Sequence, residues 1–316
     1  MKKLDLKVGF ACNNYCKHCV QSYKRNVVDK STERLKKEII DGYKDGCRAI
    51  VFTGGEPTIR KDIIELIRFA KDVGYERIQV QSNGRMLKYK KFVDALVEAG
   101  MNEFSPAVNG HIPEVHDFLA SVNGAWEQTV QAIKNVREYG DVVILTNTVV
   151  TKPNYRWLKE IAELLVDLGV DQYQLAFVHS AGNAWYNFDF IVPYMELAAP
   201  KIKEGLQVGI DVGIRVMAEA MPFCLMENYE SYVAELYMPP TEIKDAWWTV
   251  EDFKKSKIEE GGKFKPAKCR ECRFYPICEG IWSDYAAKRG TKELHPVPGE
   301  YIYDAEEVLN WANEYW

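Results

Sequence analysis

The 316-residue sequence lacks the features that mark membrane, secreted and nucleic-acid-binding proteins. It contains no run of about 18 consecutive apolar residues, so we expect no transmembrane helix. The lysines near the amino terminus precede no apolar segment, which argues against a signal peptide and predicts a cytoplasmic protein. Lysine and arginine together number 41 against 46 for aspartate and glutamate, giving a formal net charge of −5. We therefore expect neither a membrane nor a nucleic acid as a partner.

Sequence motifs of several common enzyme classes are also absent. There is no Ser-His-Asp order, no Walker loop and no dinucleotide-binding fingerprint. Hydrophobic residues make up 47% of the chain and charged residues 28%, which is ordinary for a globular protein of one large domain or two modest ones. The chain does contain eight cysteines. In a reducing compartment these indicate metal binding or catalysis before disulfides.

Short apolar runs alternate with amphipathic helical segments in the first two thirds of the chain. Strands are predicted at about 4–10, 49–52, 77–82, 102–108, 142–150 and 171–178. Because parallel strands need helical crossovers, this alternation predicts an α/β fold, a partial (βα)6 TIM-like barrel. The rhythm then changes, with a predicted helix at 195–206, a strand at 208–217 and a closing helix at 304–316. We predict two domains, 1–199 and 200–316.

Three cysteines, Cys12, Cys16 and Cys19, follow the first predicted strand with the spacing C-x3-C-x2-C. This position is the carboxyl-end edge of the sheet, where ligands of α/β folds gather. Three thiolates can hold three irons of a four-iron cluster and leave the fourth iron an open coordination site. A structural zinc site completed by His18 is the alternative interpretation.

A second motif, Gly54-Gly55-Glu56-Pro57, follows the second predicted strand. The glycines allow close approach of the backbone to a ligand, the proline fixes the turn, and the glutamate can accept hydrogen bonds from an ammonium group. Over roughly residues 4–180 the two motifs together resemble the radical S-adenosylmethionine (radical SAM) enzymes. The resemblance implies that the three cysteines hold a 4Fe-4S cluster, which binds SAM, and that the glycine motif binds the methionine amino group.

The resemblance also implies further SAM contacts, at Tyr15, Ser82, Asn83, Asn147, Phe177 and Val178. Phe177 has packing in the barrel core as an equal alternative. Ala107 stands where family members often have a serine in the fourth strand, and Ser105 or Asn109 are possible substitutes. Other polar residues could face a substrate, although ordinary polar contacts explain each of them as well: His179, Asn183, Tyr186, Arg215 and Glu219. No residue is assigned a catalytic role.

A second group of cysteines lies near the carboxyl terminus, with Cys269, Cys272 and Cys278 in the spacing C-x2-C-x5-C and Cys224 upstream. Four thiolates suit a fully coordinated 4Fe-4S cluster or a structural zinc ion, and a substrate atom or solvent could replace Cys224 as the fourth ligand. The arrangement resembles the auxiliary-cluster domain called twitch, a shortened relative of the SPASM domain. The remaining Cys47 is interpreted as a small buried hydrophobe.

The resemblance implies reductive cleavage of SAM to a 5′-deoxyadenosyl radical, which abstracts a hydrogen atom from the substrate. A donor such as flavodoxin or ferredoxin would supply the electron. We expect a ribosomally made peptide as substrate, undergoing crosslinking, thioether formation or epimerisation. The alternatives are a small carbohydrate-like molecule or cofactor precursor, and a non-catalytic iron–sulfur or zinc scaffold or electron carrier. A scaffold has no need of the Gly54-Gly55-Glu56-Pro57 turn.

Overall fold

The structure is a computed structural model that describes residues 1–314. Tyr315 and Trp316, the last two residues of the predicted closing helix and of the predicted domain 200–316, lie outside the described residues. Within the described part of the chain, no helix is long and apolar enough to cross a membrane.

Strands and helices alternate along the first 220 residues, as predicted. The strands are β1 Lys2–Gly9, β2 Cys47–Gly54, β3 Arg77–Ser82, β4 Glu103–Pro106, β5 Val143–Val150, β6 Gln172–Phe177, β7 Arg215–Glu219, β8 Thr241–Lys244, β9 Thr249–Val250, β10 Lys263–Phe264 and β11 Ile281–Trp282. The α-helices are α1 Thr32–Lys44, α2 Ile63–Val73, α3 Lys90–Ala99, α4 Pro113–Ala120, α5 Ala125–Arg137, α6 Leu158–Asp167, α7 Asn183–Tyr186, α8 Phe188–Ile191, α9 Met195–Asp211, α10 Phe253–Glu259, α11 Ser283–Arg289 and α12 Ala305–Glu314.

One sheet of nine strands in the order β7-β6-β5-β4-β3-β2-β1-β8-β9 forms the centre of the described fold. Strands β1 to β7 are parallel and lie in chain order, with helices between them. This confirms the predicted α/β partial barrel. The sheet extends beyond the six predicted strands, because β7 pairs with β6 and β8 pairs in parallel with β1.

The strand predicted at 208–217 is wrong in its first half, because α9 continues to Asp211 and β7 begins only at Arg215. Tyr173 of β6 holds this part of the helix. Its hydroxyl donates to the carbonyl of Gly205 at 2.6 Å and accepts from the amide of Gly209 at 2.8 Å. Helix α9 also runs across residues 199 and 200, and the division into two domains at that point stays a prediction.

Alternate residues of each barrel strand face opposite sides of the sheet. Leu4 and Leu175 face the helices, since a Cβ on Gly42 of α1 would meet Leu4 and one on Gly205 of α9 would meet Leu175. The intervening residues line the other side of the sheet, which we call the concave face. It carries charged and amide side chains, including those of Asp5, Lys7, Gln79, Asn147, Gln174 and Glu219.

A buried ion pair joins the segment after Cys19 to the turn between β8 and β9. The ammonium of Lys24 lies 2.8 Å from the Asp245 carboxylate, and both side chains are almost fully buried. Four aromatic rings lie within 6 Å of the same ammonium: Phe10, Tyr23, Trp247 and Trp248. The carboxyl-terminal part of the chain is therefore attached directly to the first strand and to the loop that follows it.

Candidate functional site

The segment that contains Cys12, Cys16 and Cys19 leaves the carboxyl end of β1 and is held by Arg25, further along the same connection, and by elements that follow other strands. Arg25 donates to the Cys12 carbonyl at 3.1 Å. The side-chain amide of Asn183, at the start of α7, donates to the backbone carbonyl of Cys16 at 2.8 Å. The amide of Tyr15 donates to the carbonyl of Ala120 at 2.9 Å. These contacts fix the backbone that presents the three thiols at this edge of the sheet.

Burial raises the pKa of all three thiols, that of Cys16 to about 12. The metal-free cysteines are therefore protonated, and binding of iron must displace their protons. Among residues 1–314, no three His, Cys, Asp or Glu side chains converge closely enough to hold one metal ion. In a four-iron cluster each thiolate binds its own iron, so its cysteine ligands need not meet at one point.

The paired glycines after β2 allow two segments of backbone to lie side by side. A Cβ on Gly54, whose φ is +122°, would lie 2.1 Å from the Gly9 carbonyl oxygen, and one on Gly55 would lie 2.2 Å from the Ala11 carbonyl oxygen. The amide of Gly55 donates to Gly9 and that of Glu56 to Ala11, both at 2.8 Å. The glycines are thus required by the approach of the cysteine-bearing segment, a reason that sequence reasoning missed.

The carboxylate of Glu56 is buried and receives four hydrogen bonds from the protein. One oxygen accepts from the amide of Thr58 at 3.0 Å and from its hydroxyl at 2.5 Å, and also from the Ser82 hydroxyl at 2.7 Å. The other oxygen accepts from the Asn83 amide at 2.7 Å. Burial raises the pKa of Glu56 and these hydrogen bonds oppose that shift. Glu56 therefore connects the ends of β2 and β3. The sequence analysis predicted only that it accepts hydrogen bonds from the ammonium group of a ligand.

The end of β3 reaches the cysteine segment through Asn83. Its side-chain amide donates to the Asn13 side chain at 2.6 Å and lies 3.9 Å from the Cys12 sulfur. The Arg85 guanidinium, which the sequence analysis did not single out, donates to the Asn14 side chain at 3.1 Å. The structure therefore brings Ser82, Asn83, Glu56 and the first cysteine into one hydrogen-bonded edge.

The other predicted SAM contacts lie in different surroundings. Asn147 is on the concave face, where its carbonyl oxygen accepts a 3.4 Å hydrogen bond from Gln174. Phe177 is buried in the core and packs edge-on against Tyr285, with the ring centroids 5.6 Å apart. Val178 is buried as well, and Tyr15 is exposed beneath the Arg25 guanidinium. For Phe177 the structure favours the core interpretation.

The four carboxyl-terminal cysteines line one small cavity, whose other walls are largely apolar. Phe223 and Phe274 stack beside it with ring centroids 4.9 Å apart. The amide of Gly280 donates to the Cys278 sulfur at 3.3 Å, and that of Val297 donates to the Cys272 sulfur at 3.4 Å. Burial raises the pKa of Cys224 to about 12 and that of Cys278 to about 11. The structure thus brings Cys224 to the other three cysteines across 45 residues of sequence.

Cys47 lies away from both groups of cysteines, at the start of β2. Its side chain is fully buried in the core, which confirms the interpretation of Cys47 as a small hydrophobe. The other seven cysteines define a partial-barrel protein with two cysteine-lined sites, one at the carboxyl edge of its parallel sheet and one beyond it.

Comparison with known proteins names the family. Residues 6–165, half of the chain, match the model of the Radical SAM superfamily, and the chain belongs to this superfamily. The protein is therefore a radical SAM enzyme, and enzymes of this family use a 4Fe-4S cluster and SAM.

The curated relatives differ in the reactions that their names state. The chain is 26% identical to the AdoMet-dependent heme synthase of Oleidesulfovibrio alaskensis, an alignment that covers 87% of this chain and 80% of that protein. It is 28% identical to the probable GTP 3′,8-cyclase of Sulfurisphaera tokodaii over 59% of each chain.

Solved structures share the fold over nearly the whole chain. Streptococcus suis SuiB bound to the precursor peptide SuiA superposes with a TM-score of 0.68 at 14% identity, covering 96% of this chain and 74% of SuiB. The enzyme anSMEcpe with bound AdoMet gives a TM-score of 0.67 at 15% identity and covers each chain completely.

Proposed function

We propose that this enzyme holds a 4Fe-4S cluster on Cys12, Cys16 and Cys19 and uses SAM to start radical chemistry on a peptide. The observation that supports this assignment best is the hydrogen-bonded edge in which Glu56 and Asn83 join the glycine motif to the cysteine segment. When bound, the reduced cluster supplies one electron that cleaves SAM, giving a 5′-deoxyadenosyl radical able to take a hydrogen atom from a substrate.

In this proposal the chain's own residues fix geometry and exclude water. Three thiolates would leave one iron for SAM, and Ser82, Asn83 and Asn147 would contribute polar contacts to the bound SAM. The concave face would hold the substrate beside the radical carbon of the 5′-deoxyadenosyl group. Such positioning supplies much of the rate enhancement of an enzyme. The carboxyl-terminal segment packs against the end of β6, where the His179 and Trp282 rings stack with centroids 3.8 Å apart, and it would limit side reactions of the radical with solvent.

We also propose that Cys224, Cys269, Cys272 and Cys278 hold a second, auxiliary 4Fe-4S cluster in a twitch-like module. The support is the single cavity that all four cysteines line. Four thiolates would occupy one coordination position on every iron, leaving none for a substrate atom. Such a cluster can accept an electron or brace the fold. Two such clusters would suit a reducing, cytoplasmic location, with flavodoxin or ferredoxin as the electron donor.

The peptide proposal rests on solved structures and on the chemistry of the concave face. Two of the structures that share this fold hold a peptide: SuiB with SuiA, and anSMEcpe with the Cp18Cys peptide. The second candidate is maturation of a cofactor-like small molecule, which the names of the heme synthase relatives favour. The charged and amide side chains of the concave face suit the polar backbone of a peptide better than the flat, largely apolar ring of a heme-like molecule.

The test is anaerobic reconstitution with iron and sulfide, followed by SAM and dithionite and measurement of 5′-deoxyadenosine. We expect product from the wild-type enzyme and from the control Cys47→Ala, and none from Cys16→Ala. Mass spectrometry of material that copurifies with the protein then separates the two substrate classes. A peptide altered on turnover supports the first proposal, whereas an altered small molecule and no altered peptide would replace it with the second.

Replacing Cys224 tests the ligand set of the second site separately. We expect Cys224→Ser to change the electron paramagnetic resonance spectrum of the auxiliary cluster while leaving the first cluster's spectrum as it is. A spectrum identical to that of the wild type would remove Cys224 from the proposed ligands.

A further inference from the structure

A chain of hydrogen bonds crosses three neighbouring strands on the concave face. The side-chain amide of Gln174, on β6, donates two hydrogen bonds. One goes to the side-chain oxygen of Asn147, on β5, at 3.4 Å, and the other goes to a carboxylate oxygen of Glu219, on β7, at 2.5 Å. Both protons of this amide are thereby used, so Gln174 holds Glu219 in one orientation. Asn147 of β5 is a proposed SAM contact, and Glu219 of β7 lies two strands away from it on the same concave face. In the proposed function, the substrate would occupy this part of the face.

Three buried or partly buried glutamates lie close together here, and within residues 1–314 Glu219 is the one that forms no ion pair within 4.0 Å. Two lysines lie nearby, but the ammonium of neither lies within 4.0 Å of the Glu219 carboxylate. The Lys257 ammonium is 2.7 Å from the Glu279 carboxylate. The Lys263 ammonium is 3.8 Å from Glu235 and 4.0 Å from Glu279, and it makes no hydrogen bond within the described residues.

The charged groups around Glu219 leave its own carboxylate without a close cation. Glu235 and Glu279 share the buried Lys257 and Lys263 ammonium groups, and the Lys254 ammonium donates to the Glu235 backbone carbonyl at 3.0 Å. In the described part of the chain, no lysine, arginine or histidine nitrogen lies within 4.0 Å of Glu219. When Glu219 is ionised, its charge therefore has no cation within salt-bridge distance, which disfavours the ionised form.

A second carboxylate beside Glu219 also has an oxygen without a donor. Glu235 is buried, and one of its oxygens accepts from the amide of Ala220, the residue after Glu219, at 2.9 Å. Its other oxygen is buried and has no hydrogen-bond donor among the described residues. Burial and the charge of Glu235 raise the pKa of Glu219 to about 7, although the charges of Lys257 and Lys263 act in the opposite direction. Because a buried carboxylate without a cation is costly, a bound cation would stabilise this arrangement.

We propose that Glu219, oriented by Gln174, binds a basic nitrogen of the substrate, either an amine or a guanidinium. The inference rests on the proposed function, in which the substrate occupies the concave face. A charge-assisted hydrogen bond to the carboxylate would orient that part of the substrate relative to SAM, and an anionic group would be repelled there. The substrate class is therefore a peptide with a lysine, an arginine or a free amino group near the reacting carbon.

The test uses two probes that differ in one side chain, acetyl-Gly-Lys-Gly-amide and acetyl-Gly-Gln-Gly-amide. Each is titrated calorimetrically into the reconstituted full-length enzyme with SAM and without reductant. We expect the wild type to bind the lysine peptide about tenfold more tightly, which corresponds to one charge-assisted hydrogen bond. The preference should disappear in Glu219→Gln, persist in part in Glu219→Asp and be unchanged in Glu227→Gln, whose side chain is exposed.

Two results would overturn the proposal: equal or absent binding of both peptides by the wild type, and a lysine preference that survives in Glu219→Gln. A merely structural role for Glu219 would weaken both peptides together and leave their ratio unchanged. Formation of 5′-deoxyadenosine by the same wild-type sample tests the proposed function separately. A lysine preference without SAM cleavage would refute that function and leave the subsite, and the reverse result would refute only the subsite.

Discussion

The two cysteine-lined sites differ in how the chain builds them. Cys12, Cys16 and Cys19 come from one short segment that is exposed in part and surrounded by polar groups, among them Arg25, Arg85 and Asn83. The carboxyl-terminal site gathers four cysteines from two separate segments around an apolar cavity beside the Phe223 and Phe274 rings. The first arrangement suits a cluster that must admit a polar ligand, and the second suits a cluster closed to ligands.

The comparison also shows where each site draws its rigidity. Three thiols of the first site depend on hydrogen bonds from loops that follow other strands, such as the one from Asn183. The second site depends on packing and on amides that donate to its sulfurs. Removing a polar contact should therefore affect the first site and leave the second unchanged.

Loss of one cysteine from each site gives the largest expected difference. Two four-iron clusters give about eight irons per chain, and both Cys16→Ala and Cys272→Ala should retain about four. Only Cys16→Ala should abolish formation of 5′-deoxyadenosine, because SAM needs the open iron of the first site. Iron analysis and product measurement, with Cys47→Ala as the control, check this. Loss of SAM cleavage in Cys272→Ala with the first cluster intact would break the distinction between the sites.

The variant Lys24→Met tests the ion pair that joins the segment after Cys19 to the turn between β8 and β9. This change leaves the buried Asp245 carboxylate without its cation, and we expect the free energy of unfolding to fall by about 3–5 kcal/mol. The matched control, Lys255→Met, removes an exposed pair with Glu259 and should cost less than about 1 kcal/mol. Denaturant unfolding of the reconstituted proteins measures both. Similar losses in the two variants would show that the Lys24–Asp245 pair does not connect the segment and the turn.

The charge at Glu219 predicts a pH dependence that the two cysteine sites do not share. The pKa of this carboxyl is raised from 4.5 to about 7 in the folded protein, so folding favours its neutral form. Its stabilising contribution is complete below the unfolded pKa and is lost as the pH rises through 7. Relative to Glu219→Gln, the wild type should lose roughly 2 kcal/mol of unfolding free energy between pH 5 and pH 8. A parallel pH dependence in both proteins would contradict the assignment.

The smallest effect is expected at the polar support of the first site. Asn183→Ala removes the hydrogen bond to the Cys16 carbonyl, worth about 1 kcal/mol, and should speed loss of iron from the first cluster to a chelator. Asn187→Ala is the matched control, since its amide makes a longer and exposed 3.2 Å contact to Lys17. Equal rates of iron release in the two variants, or faster release from the second cluster, would contradict this account of rigidity.

Local patterns were sufficient to predict the barrel strands and the first cysteine segment. Strand β3 spans Arg77–Ser82, as the alternation of apolar residues indicated, and the three cysteines follow β1 as their position in the sequence required. These features depend on periodicity and on spacings of a few residues. The residue types of the glycine motif likewise indicated a close backbone approach, although not to which segment.

Contacts between distant parts of the chain could not be predicted in the same way. Strand β8 pairs with β1 in the register Lys3 to Thr241, a partnership that no local pattern indicates. The acceptance by Glu56 of hydrogen bonds from Ser82 and Asn83 depends on the neighbouring strand. The sequence showed Cys224 as a candidate ligand, but only the fold shows that it lines the same cavity as the other three.

The central claim is that the three-cysteine site admits SAM and the four-cysteine site is closed to it. The most direct measurement is electron paramagnetic resonance of the reduced clusters before and after addition of SAM, in two reconstituted variants that each retain one site. The account predicts that SAM changes the spectrum of Cys269→Ala/Cys272→Ala and leaves that of Cys12→Ala/Cys16→Ala/Cys19→Ala unchanged. A change in the second spectrum, or no change in the first, would contradict it.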